Sequence, residues 1–153
     1  MPVCLQMLQG LLTPIVAVIT TYIAWQQWKT NQRKVDLDRY DRRLKVYQET
    51  IKYIQQFNQD FKVQLPDLYS FYVATAEADF LFSPEIRAYI DEIYSRALKH
   101  HAAKSQYRDS NQPPIENYDH KAVCAAMEQQ QEWFIDQPKH VLSKFKIYLD
   151  ISQ

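Results

Sequence analysis

The sequence predicts an all-α protein: a single N-terminal transmembrane helix that continues into a long stalk helix, followed by a small antiparallel helical bundle. Three observations predict it. Met1–Trp28 contain no Asp, Glu, Lys or Arg. From Trp28 no proline interrupts the chain before Pro66, and apolar residues recur there at helical spacing. The 153-residue chain holds a single glycine, Gly10, where average usage is about 7%; that disfavours a sheet-rich fold with its glycine turns.

The uncharged stretch Leu8–Trp28 (LQGLLTPIVAVITTYIAWQQW) has the length of about 20 residues that a helix needs to cross a bilayer core. Tyr22, Trp25 and Trp28 cluster near one end, where amphipathic rings favour the headgroup level. Lys29, Arg33, Lys34, Arg39, Arg42, Arg43 and Lys45 follow, and no Lys or Arg precedes. The positive-inside bias then predicts a single-pass protein of the inner (plasma) membrane, with a short N-terminus outside and the C-terminal domain cytoplasmic. A cleaved signal peptide would need a basic n-region and a small-residue cleavage site; Met1–Gly10 has no basic side chain, and no A-x-A pattern follows Tyr22. The other reading is the buried core helix of a soluble protein, which Gln6, Gln9, Gln26 and Gln27 allow and the basic flank opposes. Pro14 either kinks the helix or begins its regular part.

Wound at ~100° per residue, Gln6, Gln9, Gly10, Thr13, Ala17, Thr20, Thr21, Ala24 and Gln27 fall within a sector about 120° wide. Leu8, Leu11, Leu12, Ile15, Val18, Ile19, Tyr22 and Ile23 cover the rest. A small and polar stripe lets helices approach closely in lipid, so these residues are the candidate pore lining or helix–helix interface. A lone anchor with tolerated Thr and Ala is the alternative, since Thr hydroxyls can bond their own backbone.

The stalk shows apolar residues at Leu37, Tyr40, Leu44, Tyr47, Ile51, Ile54 and Phe61, with Asn58 in the one polar slot. This alternation of three and four is the heptad signature of helix packing. Asp38–Arg42 and Asp41–Lys45 are i,i+4 pairs that support the helix modestly. A second helix begins at Leu65-Pro66-Asp67, with proline tolerated in a first turn; it carries Leu68, Phe71, Tyr72, Thr75, Ala78 and Phe82. Ser83-Pro84-Glu85 predicts a restart, with Ser at N-cap and Pro at N1. The third helix carries Ile86, Tyr89, Ile90, Ile93, Tyr94, Ala97, Leu98 and His101. Asp109–Asn117 (DSNQPPIEN) reads as a loop. A fourth helix covers Tyr118–Phe134, with Val123, Met127 and Trp133 or Phe134 inward. Gln137-Pro138 restarts a fifth, with Val141, Leu142, Phe145, Tyr148 and Leu149. The expected organisation is an anchor over 1–28, a stalk over 29–64 and a bundle over 65–153 packed on the stalk.

Composition narrows the function classes. One glycine excludes glycine-rich phosphate loops and dinucleotide fingerprints, and no cofactor is expected. Eighteen Lys plus Arg balance eighteen Asp plus Glu, so no global field draws nucleic acid, which is not expected as a main ligand. Anionic lipid accounts for the local basic stretch. Cys4 and Cys124 form no CxxC pair, and on opposite sides of a membrane they cannot join within one chain.

Candidate chemistry is sparse. His100, His101, His120 and His140, with Cys124 or Asp119, match no common zinc spacing, and no metal is expected. Cys124 with a histidine would make a nucleophilic pair, but its neighbours Ala122, Val123, Ala125 and Ala126 read as packing around a small hydrophobe. Asp36, Asp38 and Asp41 alternate with Lys34, Arg39, Arg42 and Arg43 and read as a salt-bridged helix face. Arg96 and His101 form R-x(4)-H, which resembles the R-x(4–6)-H pattern of HEPN-type ribonucleases. That resemblance implies RNA cleavage by the pair, with His as acid or base and Arg on phosphate. Ala97 departs from the polar residue that often follows the arginine in that pattern.

Tyr40 with Asp41-Arg-Arg-Leu-Lys-Val-Tyr47, Phe80-Leu-Phe-Ser-Pro-Glu-Ile86 and Thr13-Pro-Ile-Val-Ala-Val-Ile19 resemble a widespread group of small bacterial proteins with one N-terminal membrane helix and a helical cytosolic domain. The layout is also similar to the HEPN-like membrane-pore accessory protein of type VI-B CRISPR systems. That resemblance implies oligomerisation in the membrane and an antiviral, permeabilising role. The expectation is a self-associating membrane protein, a homo-oligomeric pore or scaffold in contact with lipid. The alternatives are a membrane-tethered ribonuclease using Arg96 and His101, and a passive adaptor holding a cytosolic protein partner.

Overall fold

The computed structural model describes residues 2–109 and 118–150, with side chains from Pro14 onward. All regular structure among the described residues is helical: α1 Pro2–Asp60, α2 Leu65–Ala74, α3 Ala78–Leu81, α4 Pro84–Gln106 and α5 His120–Leu149. The chain forms two compact units, Met1–Tyr40 and Asp41–Gln153. The boundary at Tyr40 falls inside the stretch expected as stalk, and the second half of α1 is a stave of the second unit. Among the described residues no helix is long and apolar enough to cross a membrane. The side chains of Leu8–Thr13, the first part of the expected span, lie outside the described residues.

Contacts within the second unit give its topology. Gln56 Nε2 donates to Asp67 Oδ2 at 2.8 Å, Tyr53 stacks on Phe71 and Arg43 Nε donates to the Leu81 carbonyl at 3.0 Å; α2 and α3 therefore run back along α1. Phe57 meets His100 and Phe134, while Tyr47 meets Phe145. Thus α4 runs parallel to α1 and α5 opposes both, an up-down-up-down bundle. Val46, Tyr53, Ile54, Phe57, Leu68, Phe71, Ile86, Ile90, Ile93, Phe134, Val141 and Phe145 form its core.

The buried face of α1 is shifted from the expected heptad seam. Val46, Thr50, Tyr53, Ile54 and Phe57 are buried, whereas Leu44, Tyr47, Ile51 and Phe61 are half-buried at its edges. A stave flanked on two sides buries a broader stripe than a coiled-coil seam does. Thr50 is tolerated in the core because its hydroxyl donates to the Val46 carbonyl at 2.7 Å.

Helix α1 stops at Phe61, whose φ of 50° lies in the left-handed region. Glycine usually fills that place. A residue with a Cβ costs about 1–2 kcal/mol there, which packing offsets: the Phe61 ring sits edge-on to Phe57, with centroids 6.0 Å apart. Lys104 Nζ also donates to the Phe61 carbonyl at 3.3 Å.

Two expectations about helix limits are corrected. The second helix does not run to Phe82; it ends at Ala74, because Thr75 turns its hydroxyl back onto the Phe71 carbonyl at 2.8 Å. Bonds from Ala76 N to Val73 O and from Ala78 N to Thr75 O then tighten the turn. Ser83 holds the N-cap position with Pro84 behind it, but its side chain makes no cap bond; Ser83 Oγ instead accepts from Tyr148 Oη at 2.6 Å. The fourth and fifth helices are one, α5, with Pro138 inside it. The expected Asp109–Asn117 loop lies, beyond Asp109, outside the described residues.

A proline inside a helix leaves the carbonyl four residues earlier without its donor. For Pro138 that carbonyl is Phe134, and Asn58 Nδ2 on α1 donates to it at 3.0 Å. Gln137 Nε2 donates to the adjacent Trp133 carbonyl at 2.8 Å. Asn58, the polar slot in an apolar seam, thus repairs the break that Pro138 makes. Asn58→Ala is expected to lower bundle stability by roughly 1–3 kcal/mol, the cost of an unsatisfied buried acceptor. On a Pro138→Ala background the cost falls toward zero, since an alanine in place of the proline supplies its own N–H. Urea unfolding of the four proteins measures this coupling; equal costs on both backgrounds contradict it.

Candidate functional site

The first unit offers the most unusual surface. Every described side chain from Pro14 to Arg39 is exposed. Ile15, Val18, Ile19, Tyr22, Ile23, Trp25 and Trp28 show between 47% (Ile23) and 70% (Val18) of their surface. Scattered apolar exposure is ordinary, whereas a contiguous run of this length is unusual.

The described part of this helix carries different side chains on its two sides. Ala17, Thr20, Thr21, Ala24 and Gln27 share one side, while Gln6, Gln9, Gly10 and Thr13 have side chains outside the described residues. The threonines are internally satisfied. Thr20 Oγ1 donates to the Val16 and Ala17 carbonyls, each at 2.9 Å. Thr21 Oγ1 donates to Ala17 O at 2.8 Å. The stripe therefore presents small side chains and hydroxyl lone pairs rather than free hydroxyl protons. The steps Thr13–Ala17–Thr21 and Thr20–Ala24 are small-xxx-small spacings that permit close helix approach. At the other end Lys29 Nζ stands 5.4 Å from the Trp25 ring centroid. Tyr22 packs against Trp25, and its hydroxyl accepts from Gln26 Nε2 at 3.0 Å. Further along, Leu37 is 60% exposed and Tyr40 half-buried, so the expected stalk seam has no cover within this unit.

Arg96 and His101 are not brought together. Arg96 pairs with Glu92 at 2.9 Å, donates to Gln130 Oε1 at 3.3 Å and lies 4.5 Å from the Trp133 ring centroid. It faces α5 beside an open groove of about 260 Å³ lined by Tyr89, Glu92, Trp133, Asp136, Gln137, His140 and Lys144. His101 lines a different groove, with Lys62, Val63, Gln64, Lys104 and Ser105. The five-residue spacing separates them by ~140° around α4. Among the described residues no three His, Cys, Asp or Glu side chains are grouped to hold a metal ion.

The inward histidine is His100, 1% exposed, rather than His101. Its ring meets Phe57 edge-on at 5.1 Å, and its Nε2 lies 3.2 Å from Gln131 Nε2. Burial, then Lys104 and His101, lowers its pKa from the usual 6.5. The unfolded chain therefore binds this proton more readily, so stability is full above the usual value and declines as pH falls below it. Thermal midpoints should drop from pH 7 to pH 5 more steeply in the wild type than in His100→Gln; parallel pH profiles contradict this.

Two segments of the second unit, 41–47 and 80–86, touch one another. Arg42 pairs with Glu77 at 3.7 Å. Arg43 donates to the Leu81 carbonyl and lies against the Phe82 and Tyr148 rings. They form a packing junction between α1, the α3–α4 connection and the end of α5. Local sequence patterns gave no sign of this junction, of the Asn58–Phe134 bond or of buried Gln130 and Gln137, because each joins distant segments. Comparison with protein-family models, with curated proteins and with solved structures finds no match to this chain.

Proposed function

We propose that this chain is a membrane protein, anchored through Leu8–Trp28, whose copies associate through the small and polar stripe of α1 into an oligomeric pore or scaffold. The observation that carries the reading is the run of bare apolar side chains from Ile15 to Trp28 in the first unit, while the second unit has a core of its own. Nothing within the first unit covers Ile15 to Trp28, and exposed apolar surface costs about 25 cal/mol per Å² in water. Lipid satisfies the Ile15, Val18, Ile19 and Ile23 side, whereas close packing of copies satisfies Ala17, Thr21 and Ala24. Trp25 and Lys29 suit the interface, and the exposed basic residues Arg33, Lys34 and Arg39 suit an anionic cytoplasmic leaflet. Resemblance in layout to a membrane-pore accessory protein favours a pore over a passive anchor, with antiviral defence as its setting.

The test uses a variant with Thr13, Thr20 and Gln27 changed to Leu. Expression of the wild type is expected to raise membrane permeability to a small dye, and the variant to lose that effect while still fractionating with membranes. Unchanged permeability and unchanged oligomer size in the variant refute the proposal.

A further inference from the structure

We propose that Tyr118, His120 and Cys124, at the start of α5, form a reactive-thiol site at which Cys124 takes up a small-molecule disulfide. Sequence context reads Cys124 as a packed hydrophobe, but Ala122, Ala125 and Ala126 are exposed and Cys124 itself is only half-buried. One helical turn separates it from His120, which places Cys124 Sγ 3.4 Å from His120 Nε2. On the far side of the ring, His120 Nδ1 lies 3.4 Å from Tyr118 Oη. Tyr118 Oη is itself held, accepting the Arg108 N–H at 3.0 Å. The Tyr107 ring stands 5.4 Å from the imidazole and walls its other side.

A nucleophile, a base and a group that orients the base are the elements of an activated thiol. With Nδ1–H donating to Tyr118 Oη, Nε2 is left as the acceptor for the thiol proton. The step balances without any further reagent. Cys124 Sγ–H passes its proton to Nε2, and the thiolate attacks one sulfur of the disulfide. The S–S bond breaks as the Cys124 S–S bond forms, and the departing thiolate takes the proton back from His120. The product is a mixed disulfide on Cys124 plus one small thiol. His120 sets the rate by standing where it can take the thiol proton as the thiolate forms.

The test is the rate of exchange with a neutral dipyridyl disulfide, followed at pH 6–9. It uses the full-length protein in detergent with Cys4→Ser, so that Cys124 is the only thiol. Folded protein is expected to react faster at pH 7 than the same chain unfolded in urea. His120→Gln should slow the reaction about tenfold at pH 7. Tyr118→Phe should fall between the two, with far-ultraviolet circular dichroism confirming that each variant is folded. Equal rates and pH profiles for the wild type and His120→Gln, or slower reaction folded than unfolded, overturn the proposal.

Discussion

Phe57→Ala is expected to remove much of the bundle's stability margin, at a cost of about 3–5 kcal/mol. Small domains hold roughly 5–15 kcal/mol in all. Phe57 sits where three staves meet: its ring stacks on Phe134 with centroids 3.9 Å apart and an interplanar angle of 27°. The same ring takes His100 edge-on at 5.1 Å and Phe61 edge-on at 6.0 Å. Truncation to alanine therefore removes contacts to α4, α5 and the cap of α1 together, leaving a cavity that rigid neighbours cannot close. The midpoint of thermal unfolding should fall by roughly 10 °C or more. Leu37→Ala is the contrast. That side chain lies in the first unit and is 60% exposed, so its change should stay within about 0.5 kcal/mol. Similar shifts for the two variants contradict the packing described.

Ala17→Leu combined with Ala24→Leu should disrupt association of copies while leaving the bundle's thermal midpoint unchanged. Both alanines lie on the small-residue side of α1, in the spacings Thr13–Ala17–Thr21 and Thr20–Ala24. Leucine at either place holds two helix backbones apart, and in lipid close packing is the main attraction between helices. Thr20→Val discriminates packing from hydrogen bonding. Thr20 Oγ1 already donates to the Val16 and Ala17 carbonyls, so removing the hydroxyl at constant volume should leave association intact. If Thr20→Val disrupts association and the double leucine variant does not, interhelical hydrogen bonding rather than small-residue packing holds the copies together.

Local chemistry made much of this architecture legible. The single glycine, the proline-free run to Pro66 and the Ser83-Pro84 restart located α1, α2 and the start of α4. Failures arose where a distant residue overrode a local rule. Pro138 reads as a helix start, yet α5 continues through it with Asn58 on another stave donating to the carbonyl the proline leaves open. Thr50 and Thr75 are polar residues that can be buried because each hydroxyl bonds the carbonyl four residues earlier. His101 fits the helical spacing of the third helix, but the wide contact with Phe57 and Gln131 draws His100 inward instead. The candidate site divides along the same line. The two faces of the first helix follow from angular position alone. Separation of Arg96 from His101 also follows from angular position, but the partners that occupy Arg96 (Glu92, Gln130 and Trp133) are ones the motif does not mention.

Self-association through the first helix is the central claim, and particle mass tests it most directly. The intact protein, extracted in a mild detergent and measured by light scattering with the detergent contribution subtracted, should give one uniform species at a high multiple of the 18.3 kDa chain. A monomer or dimer at every protein concentration would contradict the claim and leave the stripe as an ordinary feature of a lone anchor.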